Sequence, residues 1–150
     1  MTKEIQLTKG KVTIVDDEDF EYLSQWKWSL LSSGYARRKQ NNKCVLLHRF
    51  IMNAPDGMQV DHINMDILDN RKSNLRICTK SQNMANREKV STNKTGYKGI
   101  FFYKGKWRAT IKHIKSIPIG AYDTPEEAAR AYDKEAKKIF GIFARPNFKD

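Results

Sequence analysis

Residues 61–83 crowd together side chains that can do chemistry: Asp61-His62-Ile63-Asn64, Asp69-Asn70-Arg71-Lys72-Ser73-Asn74-Leu75-Arg76 and Ser81-Gln82-Asn83. The reaction that suits such a set is hydrolysis of a phosphodiester. A water must lose a proton near neutral pH, and imidazole is the side chain whose ordinary pKa fits that task. A hard divalent cation must offset charge building on the phosphate and on the departing oxygen, and it prefers carboxylate and amide oxygens to thiolate. Neighbours on a strand point to opposite faces, so Asp61 can aim at a cation while His62 addresses the attacking side of the phosphate. Asn83, on a following helix, can supply a second oxygen ligand, and two protein ligands leave positions for water and phosphate oxygens.

The charge balance suits a polyanionic partner. Among 150 residues, 28 Lys and Arg face 17 Asp and Glu, a net charge of +11, and such an excess is the usual footprint of nucleic acid. The excess is uneven: residues 1–91 carry 15 basic and 11 acidic side chains, and residues 92–150 carry 13 and 6. The C-terminal part is therefore the expected non-specific grip. At 39% hydrophobic residues the chain can bury a core, as one ordinary domain or two very small ones. No apolar run reaches membrane-spanning length, and MTKEIQLTKG lacks the apolar stretch of a signal peptide. Cys44 and Cys78 show no Cys-x-x-Cys spacing and are expected as buried thiols in a reduced, cytoplasmic setting.

Elements must position these groups. EIQLTKGKVTIV alternates around Lys-Gly and predicts a hairpin, followed by a short acidic helix over Asp16–Gln25, with Phe20 and either Leu23 or Leu30 as core contacts. WKWSLL and GYARRK predict strands joined at Ser32-Ser33-Gly34, with Trp26 and Trp28 on one face as packing residues. Met58–Asn64 and Asn74–Cys78 predict two strands, and Thr79-Lys80-Ser81-Gln82 a capping box opening a helix that carries Asn83. Ser91–Gly96 is the best linker. Beyond it, two strands around Lys104-Gly105-Lys106 and a third over SIPIGAY precede a helix opened by Thr124-Pro125-Glu126-Glu127 and stopped at Gly141. Ala128, Tyr132, Ala136 and Ile139 form its packing stripe.

The stretch LHRFIMNAPDGMQVDHINMDILDNRKSNLRICTKSQN resembles the HNH endonucleases of phage homing type, over about residues 46–87. The resemblance implies a ββα-metal core at about 46–90 within an HNH domain of residues 1–91. It implies Asp61 as first metal ligand, His62 as general base and Asn74 as the asparagine that braces the hairpin and helps orient the histidine. Asn83 becomes the second metal ligand, and Arg71, Lys72 and Arg76 become phosphate contacts. Asparagines twelve and twenty-one positions after His62 turn a histidine otherwise readable as core into a site. The implied cofactor is Mg2+ or Mn2+. Asp69 and Asn70 are expected to cap turns, and His48 either supports the fold or touches phosphate. Met65 follows Asn64 where relatives often carry glycine; a positive φ there costs a methionine about 1 kcal/mol.

Residues 94–150 are similar to the plant Apetala or ethylene-response-factor domain, through Gly96-Tyr97-Lys98-Gly99, Lys106-Trp107-Arg108-Ala109, Ile119-Gly120, EEAARAYDKEA and Asn147-Phe148. The resemblance implies a three-stranded antiparallel sheet in the major groove of double-stranded DNA, backed by one helix. Lys98, Lys104, Lys106, Trp107, Arg108 and Lys112 would then lie at or near DNA; for Trp107, core packing stands as an equal reading. Plant members place base-reading arginines on the first strand, where this chain has Phe101 and Phe102, one of them expected in the core. The whole is expected to be an α+β, monomeric, metal-dependent DNA endonuclease without membrane association. The alternative is a non-catalytic DNA-binding regulator.

Overall fold

The structure is a computed structural model that describes residues 1–87 and 94–148, and the chain divides into two compact units, Met1–Thr79 and Lys80–Asp150. Ser91–Asn93 of the expected linker lie outside the described residues.

In the first unit, β1 (Thr2–Gln6) and β2 (Val12–Asp16) form the expected antiparallel hairpin, with Ile5 opposite Thr13. Alternation along β2 sends Thr13 and Val15 inward, both fully buried. The acidic helix α1 (Asp17–Leu23) follows, with Asp17, Glu18 and Asp19 in its first turn, where the helix dipole favours them. The strands β3 (Ser29–Leu30), β4 (Ala36–Gln40) and β5 (Lys43–Leu46) make a three-stranded antiparallel sheet. Asn41 and Asn42, both at positive φ, turn the chain between β4 and β5, as asparagine tolerates best among non-glycine residues.

Two expectations are corrected here. Trp26 and Trp28 precede β3 instead of sharing a strand, although both pack as expected: Trp28 is buried with its indole Nε1 donating to Leu23 O at 2.9 Å, and Trp26 lies edge-on to Phe50. Cys44 is exposed. It sits on edge strand β5 opposite the exposed Lys39, so alternation sends it to solvent. Cys78 is buried, as expected. The apolar run after Cys44 divides into β5 and a short helix, α2 (Leu47–Ile51), which places Leu47 and His48 inside. The core joins Ile5, Leu7, Val15, Leu23, Trp28, Ala36 and Leu47. Finally β6 (Gln59–His62) pairs with β7 (Leu75–Cys78), putting Asp61 opposite Arg76 and His62 opposite Leu75.

The second unit begins with α3 (Lys80–Asn86). Its sheet, β8 (Ile100–Tyr103), β9 (Lys106–Lys112) and β10 (Ser116–Tyr122), is antiparallel with β9 central, and helix α4 (Pro125–Phe140) packs on it. The predicted capping box is present: Glu127 N donates to Thr124 Oγ1 at 3.2 Å and Thr124 N donates back to Glu127 Oε2 at 3.2 Å. Ala128, Tyr132 and Ala136 are buried against Ile100, Ala109 and Ile111, with Ile139 at the margin. Gly99 is required where it stands, because at φ +76° an added Cβ would lie 2.2 Å from the Tyr132 ring and 2.8 Å from Thr110 O. Among the described residues, no helix is long and apolar enough to cross a membrane.

Candidate functional site

The hairpin β6–β7 brings the motif's polar side chains together and buries them. Asp61 and His62 are only 5% and 4% exposed at the end of β6. Buried polar groups require partners, and the hairpin supplies them. Arg76, opposite Asp61, binds carboxylate Oδ2 through Nε at 2.8 Å and Nη2 at 2.7 Å. His62 Nε2 lies 3.1 Å from Asn70 Oδ1. The Asn74 amide spans the hairpin loop: its Oδ1 accepts from Asn64 N at 3.0 Å and its Nδ2 donates to Asp69 O at 2.8 Å. Met65 adopts φ 69°, so the turn has the strained conformation anticipated for it.

Burial lowers the His62 pKa, outweighing the opposing pull of the Asn70 hydrogen bond and of Asp61, Asp66 and Asp69. The imidazole is thereby kept neutral, the form that can accept a proton. Beside it, 5.2 Å between ring centroids, lies His48, itself 5.1 Å from the Tyr35 ring. Burial pushes His48 down to about 3, with the neighbouring His62 and Arg49 acting in the same direction. At 5% exposure His48 supports the fold instead of reaching outward.

The three cations expected at phosphate are each engaged by carboxylates of their own unit. Arg71 grips Asp69 through Nε at 2.7 Å and Nη2 at 2.6 Å. Lys72 Nζ bonds Glu18 and Asp19, both at 2.8 Å, and Arg76 holds Asp61. Asp69 and Asn70, expected as turn caps, are 3% and 1% exposed and form the layer under the imidazole. Sequence reasoning missed that layer and its anchor, Thr13, to which Asn70 Nδ2 donates at 2.7 Å. The available signal was a threonine on the inward face of β2, a position that demands a partner.

The last motif position, Asn83, is half-buried on α3, in the second unit. Among the described residues no three His, Cys, Asp or Glu side chains cluster to cage a metal.

In the second unit, the expected basic residues stand on the outward face of β9 and, for Lys104, in the turn before it. Lys104, Lys106, Arg108 and Lys112 are exposed, Lys106 paired with Asp123 and Arg108 lying 5.3 Å from the Tyr103 ring centroid. Trp107 is half-buried, packs on the core and lies 5.0 Å from the Phe102 ring. Lys98 turns inward: its ammonium donates to Ala85 O on α3, and burial pushes its pKa down to about 8. Phe101 and Phe102 are 45% and 59% exposed, which corrects the expectation that one of them enters the core. Ile100 fills that place, 5% exposed and paired across the sheet with the buried Ala109.

A neutral imidazole and a carboxylate side by side on a short hairpin, in a chain that also carries a basic sheet backed by one helix, mark a protein that acts on nucleic acid. Known proteins agree. The HNH endonuclease family profile matches residues 53–85 and the AP2 domain profile residues 95–142. A protein of Acanthamoeba polyphaga mimivirus described as an uncharacterized HNH endonuclease is 35% identical over 93% of this chain and 76% of its own length. An AP2-like ethylene-responsive transcription factor of Arabidopsis thaliana is 42% identical, and so is an APETALA2-like protein of Oryza sativa; each match covers 35% of this chain and no more than 13% of the relative. The chain belongs to the HNH endonuclease family and bears an AP2 domain, a DNA-binding module, on its C-terminal side.

Proposed function

We propose that the protein is a metal-dependent endonuclease that hydrolyses phosphodiester bonds in double-stranded DNA, with residues 1–91 catalytic and residues 94–150 holding the substrate. The observation that carries this reading is the adjacency of Asp61 and His62 on β6, both buried, both fixed by hairpin partners, with the imidazole kept neutral. Along the sequence the division between the compact units falls at Thr79–Lys80, whereas the catalytic motif runs on to Asn83, so the proposed function draws on residues of both.

The donor set suits a hard cation. Asp61 is a buried carboxylate already matched to a positive partner, Arg76, and Asn83 offers an amide oxygen; neither is a soft ligand. Asp61 and Asn83 would hold Mg2+, with Mn2+ as the alternative. When bound, such an ion supplies charge stabilisation at the phosphate and at the departing 3′-oxygen. His62 takes the proton of the attacking water. Asn74 holds the loop closed beneath it, and Arg76 orients the Asp61 carboxylate. Arg71, Lys72 and Arg76 reach phosphate, Arg71 and Lys72 by exchanging their present carboxylates for it. On the sheet, Lys104, Lys106, Arg108 and Lys112 contact phosphates, and Lys98 and Trp107 support them from behind.

The viral source of a similar chain supports a role in a viral genome, and a homing-endonuclease-like enzyme of phage type, acting as a monomer in the cytoplasm of an infected cell, completes the reading. The rival, a DNA-binding regulator without catalysis, draws on the plant transcription factors that match the second unit. Plasmid nicking with Mg2+, with and without chelator, separates the two. The parent chain should nick only with the metal, and Asp61→Ala and His62→Ala should lose nicking by at least about 100-fold while still binding duplex DNA. Nicking by His62→Ala at the parent rate overturns the assignment.

A further inference from the structure

The polar layer beneath the imidazole settles a question that the motif leaves open: which ring nitrogen is the base. Asn70 Oδ1 faces His62 Nε2 at 3.1 Å, while Asn70 Nδ2 faces Thr13 Oγ1 at 2.7 Å and Ile67 O at 3.5 Å. Thr13 Oγ1 in turn lies 2.8 Å from Leu68 O. A carbonyl oxygen only accepts, so the Thr13 hydroxyl donates its single proton to Leu68 and turns a lone pair toward Asn70. The amide corner facing that lone pair must be the NH2. The Ile67 carbonyl at the same corner demands the same, since an amide oxygen there would face an oxygen. Asn70 therefore presents its oxygen to His62, and an oxygen acceptor requires a proton on Nε2.

All three side chains are buried, Thr13 at 0%, Asn70 at 1% and His62 at 4% exposure, so water does not compete for these bonds. The backbone locks the same register. Ile14 N donates to Leu68 O at 2.9 Å and Asn70 N donates to Ile14 O at 2.8 Å, which welds β2 to the loop that carries Asn70.

We propose that Thr13 and Asn70 are positioning residues for His62: the chain from Leu68 O through Thr13 and Asn70 fixes the neutral ring as the Nε2–H tautomer and makes Nδ1 the nitrogen that accepts the water's proton. The tautomer follows from the hydrogen-bond chain alone, while the role of Nδ1 rests on His62 being the general base. The N-terminal hairpin, outside the catalytic motif, thus belongs to the catalytic machinery. Groups that orient a reactive imidazole in this way commonly change rates by about 10–100-fold.

The test is 15N NMR of the His62 ring at about pH 8, above the ordinary range of imidazole, combined with plasmid nicking by the full chain. In the parent, Nε2 should show the pyrrole-type signal and Nδ1 the pyridine-type signal. Thr13→Val keeps the shape and removes the hydroxyl, so the short 2.7 Å bond is lost, the amide is held only by the long 3.5 Å contact to Ile67 O, and it can turn over part of the time to present NH2 to Nε2. The two ring signals should then move toward each other or exchange character, and kcat should fall about tenfold at unchanged KM. Thr13→Ser, which retains the hydroxyl, should restore both. A pyridine-type Nε2 in the parent overturns the proposal without recourse to any variant. So does a folded Thr13→Val chain with the parent's ring signals and kcat. A parent with pyrrole-type Nε2 that nicks nothing, with or without metal, upholds the tautomer and instead overturns His62 as base.

Discussion

At the scale of single residues, the first unit hides two histidines in neutral form, and that has a consequence for stability. Burial pushes His48 down to about 3 and lowers His62 as well, whereas in the unfolded chain both titrate near the ordinary value of about 6.5. Between these limits the unfolded state binds more protons than the native state, so acid favours unfolding. Stability should be flat above about pH 7 and should fall as the pH drops below about 6.5, with His48 contributing up to about 1.4 kcal/mol per pH unit. Replacing it by Gln, which cannot titrate, should make that decline shallower by up to one proton. Denaturant unfolding of the two chains across this interval measures the difference; parallel declines would mean that His48 is charged in the native protein. That Asp61, His62 and Asn74 lie on one hairpin was legible in the sequence because their spacing is confined to a short stretch of chain. Thr13 was not, because its partner Asn70 lies 57 positions away and a threonine within a strand carries no local sign of what it bonds.

At the scale of elements, strong local signals survived folding and ambiguous ones did not. The start of α4 was legible to the residue because Thr124, Pro125 and Glu127 combine a cap, a fixed φ and a reciprocal hydrogen bond. The strand expected at Trp26 and Trp28 was not, because aromatic residues favour strands only in so far as strands bury them, and here the core of α1 and α2 buries them directly. Phe101 and Phe102 went wrong for the same reason: apolar character was read as interior, while β8 supplies only Ile100 to α4. The junction of β8, β9 and α4 has one point that tolerates no side chain. At Gly99 the positive φ alone costs an alanine roughly 1 kcal/mol, and overlap with Tyr132 and with the Thr110 carbonyl adds to it. Gly99→Ala should therefore lower the unfolding midpoint of the second unit by more than the backbone cost alone, with Asp61 and His62 unaffected. Alanine at Gly105, also at positive φ but with nothing within 4 Å, should cost only the backbone part. Equal losses at the two positions would show that the packing around Tyr132 relaxes freely.

At the scale of the whole molecule, the division of charge predicts how binding responds to salt. Each phosphate neutralised on duplex DNA releases counterions and steepens the fall of log K with log salt by about 0.9. The exposed Arg108 and Lys112 stand on the outward face of β9, alternating with the buried Ala109 and Ile111, so their charges are available to a polyanion. The Lys98 ammonium is committed to Ala85 O on the inner side of the unit, where burial lowers its pKa to about 8. Substituting Arg108 and Lys112 together by alanine in the full chain should weaken duplex binding and make the salt slope shallower by up to about 0.9 for each. Lys98→Ala should leave the slope within the scatter of the measurement and reduce stability instead. Titrations of a fluorescent duplex at several salt concentrations read both effects. The two chains also separate the outward-face assignment from simple net charge: two cations are lost in one and one in the other, so a pure charge effect requires half the slope change from Lys98→Ala, whereas the geometry requires none.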